Sequence, residues 1–147
     1  MELRKLVGAR PIMMVGTATL VVDGDGRLLM VKRSDDGRWG LPGGGLELGE
    51  TLEEGARRET REEIGLELDE IRLFGVFSGL EMYHRYPNGD EIYGVMAAYM
   101  AHSWRGEVCL NAEHTDWRWF PAAELPEDLI PLIIPLIEKF KRGDFAP

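Results

Sequence analysis

Two apolar segments near the start of the chain predict the first strands. Ile12 to Asp23 is rich in Val, Thr, Ile and Met, with apolar side chains on both alternating faces. This pattern is typical of a strand that is covered on both sides. Asp23 to Gly26 reads Asp-Gly-Asp-Gly, a tight-turn signal, so Arg27 to Arg33 is predicted to be the partner strand of a hairpin. Met1 to Arg10 is expected to be a short helical or irregular lead-in.

The remaining apolar segments complete one mixed domain. Three of them are β-type: Ile71 to Gly79, Glu91 to Ala101 and Thr115 to Phe120. Leu80 to Asp90 is predicted to be a loop or a hairpin arm with a Pro-Asn-Gly turn at its tip. Leu129 to Lys141 is predicted to be a core-covering helix, kinked where Pro135 removes an interior hydrogen bond. We therefore expect a single α/β domain over residues 1–147, with a curved mixed sheet between helices.

The clearest helix signal lies between residues 51 and 65. Thr51 followed by Glu54 matches a capping box, and Gly65 is well placed to end the helix in a left-handed conformation. At about 100° per residue, four side chains fall along one side and predict the packed face. They are Leu52, Ala56, Thr60 and Ile64.

The glutamates of this helix divide into two groups. A solvated acidic face explains Glu53, Glu54 and Glu67. It does not explain Glu59 and Glu63, which are four residues apart and border the packed face, where ionised carboxylates repel one another. Mg²⁺ or Mn²⁺ resolves the repulsion, because both ions prefer carboxylate and carbonyl oxygens.

The third carboxylate of this group is Glu62, and Arg58 lies four residues before it, so that it offsets only part of the repulsion. Three carboxylates at this spacing, with a nearby loop carbonyl, could hold more than one ion. The residues alone therefore predict a metal site on this helix.

Composition restricts the possible partners. The chain has 147 residues and a formal net charge of -9, which argues against broad binding to a nucleic-acid backbone but permits a small phosphorylated substrate. A single cysteine, Cys109, cannot form an internal disulfide, and no apolar run is long enough to span a bilayer. We expect a cytoplasmic protein that does not associate with membranes. His102 and His114 stand isolated in the sequence and are not expected to take part in a metal site.

One stretch resembles a known motif over its whole length. Gly44, five residues, Glu50, seven residues and then Arg58-Glu59-Thr60-Arg61-Glu62-Glu63-Ile64-Gly65-Leu66 are similar to the complete Nudix box. The resemblance implies an α/β/α Nudix sandwich that hydrolyses a nucleoside diphosphate linked to a further group. It also implies that Glu59, Glu62 and Glu63 bind the metal ions with help from the Gly44 carbonyl. Glu50 would be an outer ligand or a partner of Arg58.

The general base and the substrate contacts stay open. Glu62 or Glu63 could be the base, and Glu113 in the loop Asn111-Ala112-Glu113-His114 is a rival. Arg33 or Arg38 could clamp a phosphate, but each could equally be a surface arginine paired with Asp35 or Asp36. Aromatic residues of the Leu80 to Asp90 segment could stack on a nucleobase or pack against their neighbours; they are Tyr83 and Tyr86, with His84 between them.

Several functions share this chemistry. The leading hypothesis is a Mg²⁺- or Mn²⁺-dependent hydrolase of a small nucleotide, such as an oxidised or normal nucleoside triphosphate, ADP-ribose or a dinucleoside polyphosphate. The alternatives are a catalytically silent Nudix-fold regulator that binds a nucleotide, or an RNA-end pyrophosphohydrolase. Retention of Glu59, Glu62 and Glu63 favours the enzyme. Because many Nudix enzymes are homodimers, the resemblance also makes a homodimer possible.

Overall fold

A computed structural model describes residues 2–147. The helices are α1 (Glu2–Val7), α2 (Leu52–Ile64) and α3 (Ile134–Lys141). The strands are β1 (Ile12–Val21), β2 (Leu28–Arg33), β3 (Trp39–Gly40), β4 (Gly43–Gly45), β5 (Glu67–Leu68), β6 (Ile71–Phe77), β7 (Tyr83–Arg85), β8 (Glu91–Ala101), β9 (Trp104–Arg105) and β10 (His114–Phe120). Short 3₁₀ turns occupy Leu80–Met82, Ala122–Glu124 and Pro131–Ile133.

The main sheet is mixed and lies between helices. Its strand order is β4-β1-β8-β6, with β7 paired to β8; β1 and β8 are parallel, and the other pairs are antiparallel. On one face, Ala97 and Tyr99 of β8 pack with Ala56 of α2. On the other face, Ala98 and Met100 join the core that contains α3. The predicted α/β/α arrangement in a single domain is confirmed.

The predicted hairpin of the first two strands is wrong. Only one isolated bridge, Val22 to Leu28, joins the ends of β1 and β2. Strand β2 instead pairs with β10 and β3 in a second sheet, because both edges of β1 are already occupied by β4 and β8. Residues Leu28 to Val31 are fully buried, and alternate side chains enter two different cores. A strand buried on both faces is readable from its apolar run, but its neighbours are not.

Two further expectations need adjustment. Strand β1 is covered on both sides only in its second half, since Met13 and Val15 are exposed. Pro135 does not kink the last helix, because the segment divides into the Pro131–Ile133 turn and α3, and Pro135 lies in the first turn of α3. There the missing N–H of proline leaves no helical hydrogen bond unmade.

Helix α2 is held in place at both ends and along its length. The Thr51 hydroxyl accepts from the Glu54 amide at 3.1 Å, and the Glu54 carboxylate accepts from the Thr51 amide at 3.0 Å. Gly65 ends the helix with φ of 75°. The buried Thr60 hydroxyl donates to the Ala56 carbonyl at 2.7 Å and hydrogen-bonds the Thr19 hydroxyl of β1 at 3.0 Å. The capping box and the packed face are therefore confirmed, and α2 lies fixed against β1.

Within residues 2–147, no helix is both long enough and apolar enough to cross a membrane.

Candidate active site

Strand β4 passes very close to the acidic side of α2. A Cβ atom placed on Gly44 would lie 2.7 Å from Glu59 Oε1, and one placed on Gly43 would lie 2.1 Å from the Thr17 carbonyl oxygen. Glycine is therefore required at position 43, where a side chain would clash with the backbone of β1, and a side chain at position 44 would displace the Glu59 carboxylate. The backbone of β4 thus forms one wall of the site, and the α2 glutamates form the facing wall.

Arg58 binds the carboxylates at the outer end of this site. Its Nε donates to Glu50 Oε2 at 2.6 Å and its Nη2 to Glu50 Oε1 at 3.0 Å, a bidentate pair. Its Nη1 lies 3.0 Å from Glu59 Oε1 and 3.2 Å from Glu62 Oε2, and its Nη2 also donates to the Gly45 carbonyl at 3.2 Å. The pair lowers the pKa of Glu50 and raises that of Arg58. Arg58 therefore links the loop before α2 to two of the predicted metal ligands.

Glu63 lies at the closed end of the site. Its side chain is 3% exposed, and Oε2 accepts a hydrogen bond from the Gly43 amide at 2.6 Å. Burial, with added repulsion from Glu59 and Glu113, raises the pKa of Glu63 to about 9. Among residues 2–147, no lysine or arginine lies within ion-pair distance of this carboxylate. Burial also raises the pKa of Glu59, although Arg58 opposes the rise.

The loop before β10 supplies further polar groups. One ligand atom each of Glu63, Glu113 and His114 lie within 4.8 Å of one another. Glu113 is exposed, whereas His114 is buried with Nε2 at 3.8 Å from Glu63 Oε1. The expectation that His114 stands isolated is wrong, while His102 is exposed. No local sequence pattern predicts the contact between His114 and Glu63, because it joins the last turn of α2 to β10, which is distant in sequence.

An apolar cavity opens beside β4. It has a volume of ≈ 120 Å³, and its lining includes Gly44, Gly45, Met14, Met96, Leu132 and Tyr86. A second, larger space of ≈ 530 Å³ shares Met14, Tyr86 and Ile92 with it and extends toward Arg4 and Asp90. Together these two spaces, which share lining residues, make up the cleft, and its smaller part adjoins Gly44 opposite Glu59.

The predicted substrate residues lie in different places. Tyr86 lines the cleft, and its ring packs nearly perpendicular to that of His84. The Tyr83 hydroxyl donates to Glu91. Arg33 forms a bidentate pair with Asp35 at 3.1 and 3.0 Å, which lowers the pKa of Asp35 to about 2.

Arg38 completes the set of predicted substrate residues. Its Nε lies 3.8 Å from Asp128 Oδ1, whereas its backbone amide donates to Asp36. Its surface partner is therefore Asp128 rather than the acids next to it in sequence. Tyr86 is the residue of the four whose side chain borders the cleft beside Gly44 and Gly45.

The donor set fits a hard divalent cation. Carboxylates of Glu59, Glu62 and Glu63 line one side of α2, and Glu113 adds a fourth carboxylate from the facing loop. Arg58 is the basic side chain that pairs with Glu59 and Glu62, and it also binds Glu50. A buried carboxylate without its own cationic partner, among other carboxylates, is unfavourable unless a cation joins it. Carboxylate oxygens are the ligands that Mg²⁺ and Mn²⁺ prefer.

Comparisons with known proteins agree over most of the chain. The family model described as NUDIX domain matches residues 13–140. The nucleoside triphosphatase NudI of Escherichia coli O139:H28 (strain E24377A / ETEC) is 39% identical over 119 residues, which is 75% of this chain and 81% of that protein.

Two solved structures resemble the fold. The MutT NUDIX hydrolase of Burkholderia pseudomallei has a TM-score of 0.74 and 31% identity, covering 86% of this chain and 97% of that one. The NUDIX domain of Shewanella oneidensis NrtR, solved in complex with ADP ribose, has a TM-score of 0.70 and 23% identity, covering 97% and 98%. The first resembles this chain in sequence and fold, and the second in fold alone.

Proposed function

Because the chain belongs to the Nudix family, and is therefore a Nudix hydrolase of nucleotide diphosphate linkages, we propose that its substrate is a nucleoside triphosphate and its cofactor Mg²⁺ or Mn²⁺. The substrate class is supported by the 39% identity to a nucleoside triphosphatase. The observation that carries the proposal is the buried Glu63 carboxylate, which faces other carboxylates and has no lysine or arginine partner among residues 2–147.

The metal would be held by residues from both walls of the site. Glu59, Glu62 and Glu63 would supply carboxylate oxygens from α2, and Gly44 would supply its carbonyl from β4. When bound, such an ion neutralises phosphate oxygens and lowers the pKa of a coordinated water. Glycine at position 44 is consistent with this role, because the backbone there approaches Glu59 without an intervening side chain.

The chain's own hydrogen bonds keep these carboxylates in place. The Gly43 amide fixes Glu63 Oε2, and Arg58 holds Glu59 and Glu62 while remaining bound to Glu50. Such outer partners orient ligands, so Glu50 and Arg58 act through the ligands and not on the substrate. We assign them this supporting role.

Glu113 is our choice for the general base. It is exposed on the loop that faces Glu63, whereas Glu62 is bound to Arg58 and Glu63 to Gly43. An exposed carboxylate beside the site can accept the proton of the attacking water and release it to solvent. On this assignment, Glu113→Gln lowers kcat and leaves Mn²⁺ affinity closer to that of the unaltered protein than Glu63→Gln does.

The nucleobase would occupy the apolar cavity beside Gly44 and Gly45. Its lining combines the apolar side chains of Met14, Met96 and Leu132 with the ring of Tyr86. Aromatic stacking and apolar contacts bind a base with little sequence preference. The triphosphate would then extend past the glycines toward the glutamates. Arg33 and Arg38 keep their surface pairs in this arrangement, and a direct role for them in phosphate binding stays a prediction.

A substrate panel tests the proposal. Nucleoside and deoxynucleoside triphosphates, oxidised triphosphates, ADP-ribose, dinucleoside polyphosphates, nucleotide sugars and 5′-triphosphorylated RNA are incubated with Mg²⁺ or Mn²⁺. We expect a nucleoside triphosphate to be hydrolysed with the highest kcat/KM and chelation to stop the reaction. Glu62→Gln alters a proposed metal ligand and should lower the turnover. Glu67→Gln is its control, because Glu67 is exposed on β5, and it should leave the turnover unchanged.

Two results would contradict the proposal. Tight binding of one nucleotide without turnover of any panel member would favour the regulator. Turnover confined to the RNA would favour the RNA-end enzyme. Cytoplasmic location and a homodimer stay predictions, and light scattering after size-exclusion chromatography measures the oligomeric state.

A further inference from the structure

His114 lies near the oxygen of the Glu63 carboxylate that the Gly43 amide does not contact. The Nε2 atom of His114 lies 3.8 Å from Glu63 Oε1, and the two side chains are 2% and 3% exposed. The other carboxylate oxygen, Oε2, accepts the Gly43 amide at 2.6 Å. Each oxygen of Glu63 therefore faces a nitrogen of the protein, one from the backbone and one from an imidazole.

The second ring nitrogen decides which tautomer the histidine adopts. Among residues 2–147, His114 Nδ1 is buried and has no hydrogen-bond partner. A proton on Nδ1 would be a buried donor without an acceptor, and an imidazolium would leave the same donor unpaired in a charged ring. A proton on Nε2 points at Glu63 and leaves Nδ1 as an unpaired acceptor, which is the less costly arrangement.

From this geometry we propose that His114 is a positioning residue, which donates its Nε2–H to Glu63 and fixes that carboxylate for its role in the site. A separation of 3.8 Å is longer than a hydrogen bond, so the pair closes by a movement of about 1 Å. Hydrogen bonds of active sites are often long before substrate binds and tighten in the working complex. This inference rests on the proposed function of Glu63.

The backbone holds the imidazole in register with α2. The Asn111 amide donates to the Glu63 carbonyl at 3.1 Å, and the Cys109 amide donates to the Ile64 carbonyl at 2.9 Å. The ladder between β10 and β2 is then interrupted between His114 and Asp116. Such irregularities re-aim a side chain at the end of a strand. The segment before β10 is thus attached directly to the last turn of α2, and this attachment keeps His114 beside Glu63.

The tautomer is measured on the unaltered protein. Two-bond ¹⁵N–¹H correlation spectra distinguish the Nε2–H from the Nδ1–H form of each of the three histidines. The His114→Gln spectrum identifies the signal of residue 114, and exposed His102 is the reference ring. We expect His114 in the Nε2–H form. A proton on Nδ1 would overturn the proposal, because Nε2 would then be free to bind the metal itself.

Metal affinity is measured on two variants and one control. Titration of Mn²⁺ followed by electron paramagnetic resonance of the free ion gives the Kd without any substrate. His114→Leu removes the donor and is expected to weaken Mn²⁺ binding by about 10- to 100-fold, the usual cost of losing a partner of a metal ligand. His114→Gln retains an N–H donor of similar reach and is expected to recover most of that loss. His102→Asn should bind as the unaltered protein does.

The outcomes separate this inference from the proposed function. Equal weakening in the Leu and Gln variants, or none in the Leu variant, would overturn the positioning role. If the Leu variant does not fold, the tautomer of the unaltered protein still decides. If no nucleotide is hydrolysed while the tautomer and the Mn²⁺ affinities are as expected, the proposed function fails and the positioning role of His114 stands.

Discussion

Glu50 and Glu63 lie at opposite ends of the same acidic segment, and the fold treats their carboxylates in opposite ways. Glu50 accepts two hydrogen bonds from Arg58, and this pair lowers its pKa. Glu63 is buried beside other carboxylates, and its pKa is raised to about 9. The charge of Glu50 is balanced by Arg58, whereas no lysine or arginine among residues 2–147 pairs with Glu63. Strongly perturbed groups of the second kind are typical of functional sites.

The largest effect should come from neutralising the carboxylate that the chain does not balance. Glu63→Gln keeps the shape of the side chain but removes its charge, and we expect kcat to fall by at least about 100-fold, the upper end of the loss caused by removing only an outer partner of a metal ligand. The metal-free variant should unfold at a temperature no lower than that of the unaltered protein, because the ionised form was already disfavoured. Steady-state kinetics and calorimetry measure the two quantities.

Glu67→Gln is the matched control for this variant, since Glu67 is exposed on β5 outside the site. It should leave kcat and the unfolding temperature unchanged. Near-normal turnover in Glu63→Gln would mean that the charge of Glu63 is not needed for catalysis. The proposed functional difference between Glu63 and Glu50 would then be wrong.

The second effect is the stabilisation that a bound ion gives. If the site binds Mn²⁺ in the folded state alone, then Mn²⁺ at one hundred times its Kd raises the free energy of unfolding by about 2.7 kcal/mol. We expect this gain in stability in the unaltered protein. Most of the gain should be absent in Glu63→Gln. Thermal unfolding over a Mn²⁺ titration measures the gain. A similar gain in both proteins would place the ion elsewhere.

The difference between the two glutamates was partly readable from the sequence. The ends of helix α2 are predicted from Thr51, Glu54 and Gly65. The helical period places Glu63 beside the packed face. Those signals are local, since they depend on residues within one or two turns. Local geometry alone did not identify a partner of Arg58 outside the helix. The Nudix resemblance suggested Glu50 for that role.

What the sequence did not reveal depends on long-range pairing. Strand β2 is predicted correctly as a strand but wrongly as the partner of β1, because its apolar run is equally compatible with any interior position. His114 reaches Glu63 through an irregular register at the start of β10. Neither the choice of neighbouring strand nor such an irregularity leaves a periodic pattern in the chain.

A third and smaller effect concerns the cation that balances Glu50. Arg58→Lys cannot keep the bidentate pair with Glu50 and the contact with Glu59 together, because lysine has one nitrogen where arginine has a planar fork. We expect a loss of about 1–3 kcal/mol in the free energy of unfolding, from hydrogen bonds to charged groups. Urea unfolding of Arg58→Lys and of exposed Arg61→Lys measures it. Equal free energies of unfolding for the two variants would show that the pair between Arg58 and Glu50 does not stabilise the fold.

The smallest effect is the pH dependence of the stability that the charge of Glu50 contributes. Glu50 has a folded-state pKa below its ordinary value of 4.5, so the folded protein holds its proton less tightly than the unfolded chain does. The resulting stabilisation is fully present above the unfolded pKa and is lost as the pH falls through the folded pKa. The urea midpoint of the unaltered protein should therefore exceed that of Glu50→Gln at neutral pH, and the gap should narrow in acid.

Glu67→Gln is again the reference for this measurement, because Glu67 is exposed on β5 outside the site. The metal is removed throughout by chelation, so that the ion does not contribute to the midpoint. A gap between the unaltered protein and Glu50→Gln that stays constant into acid would mean that the pair with Arg58 does not depend on the charge of Glu50. Glu50 would then differ from Glu63 in exposure alone, and the contrast in electrostatic balance between the two ends of the segment would have to be abandoned.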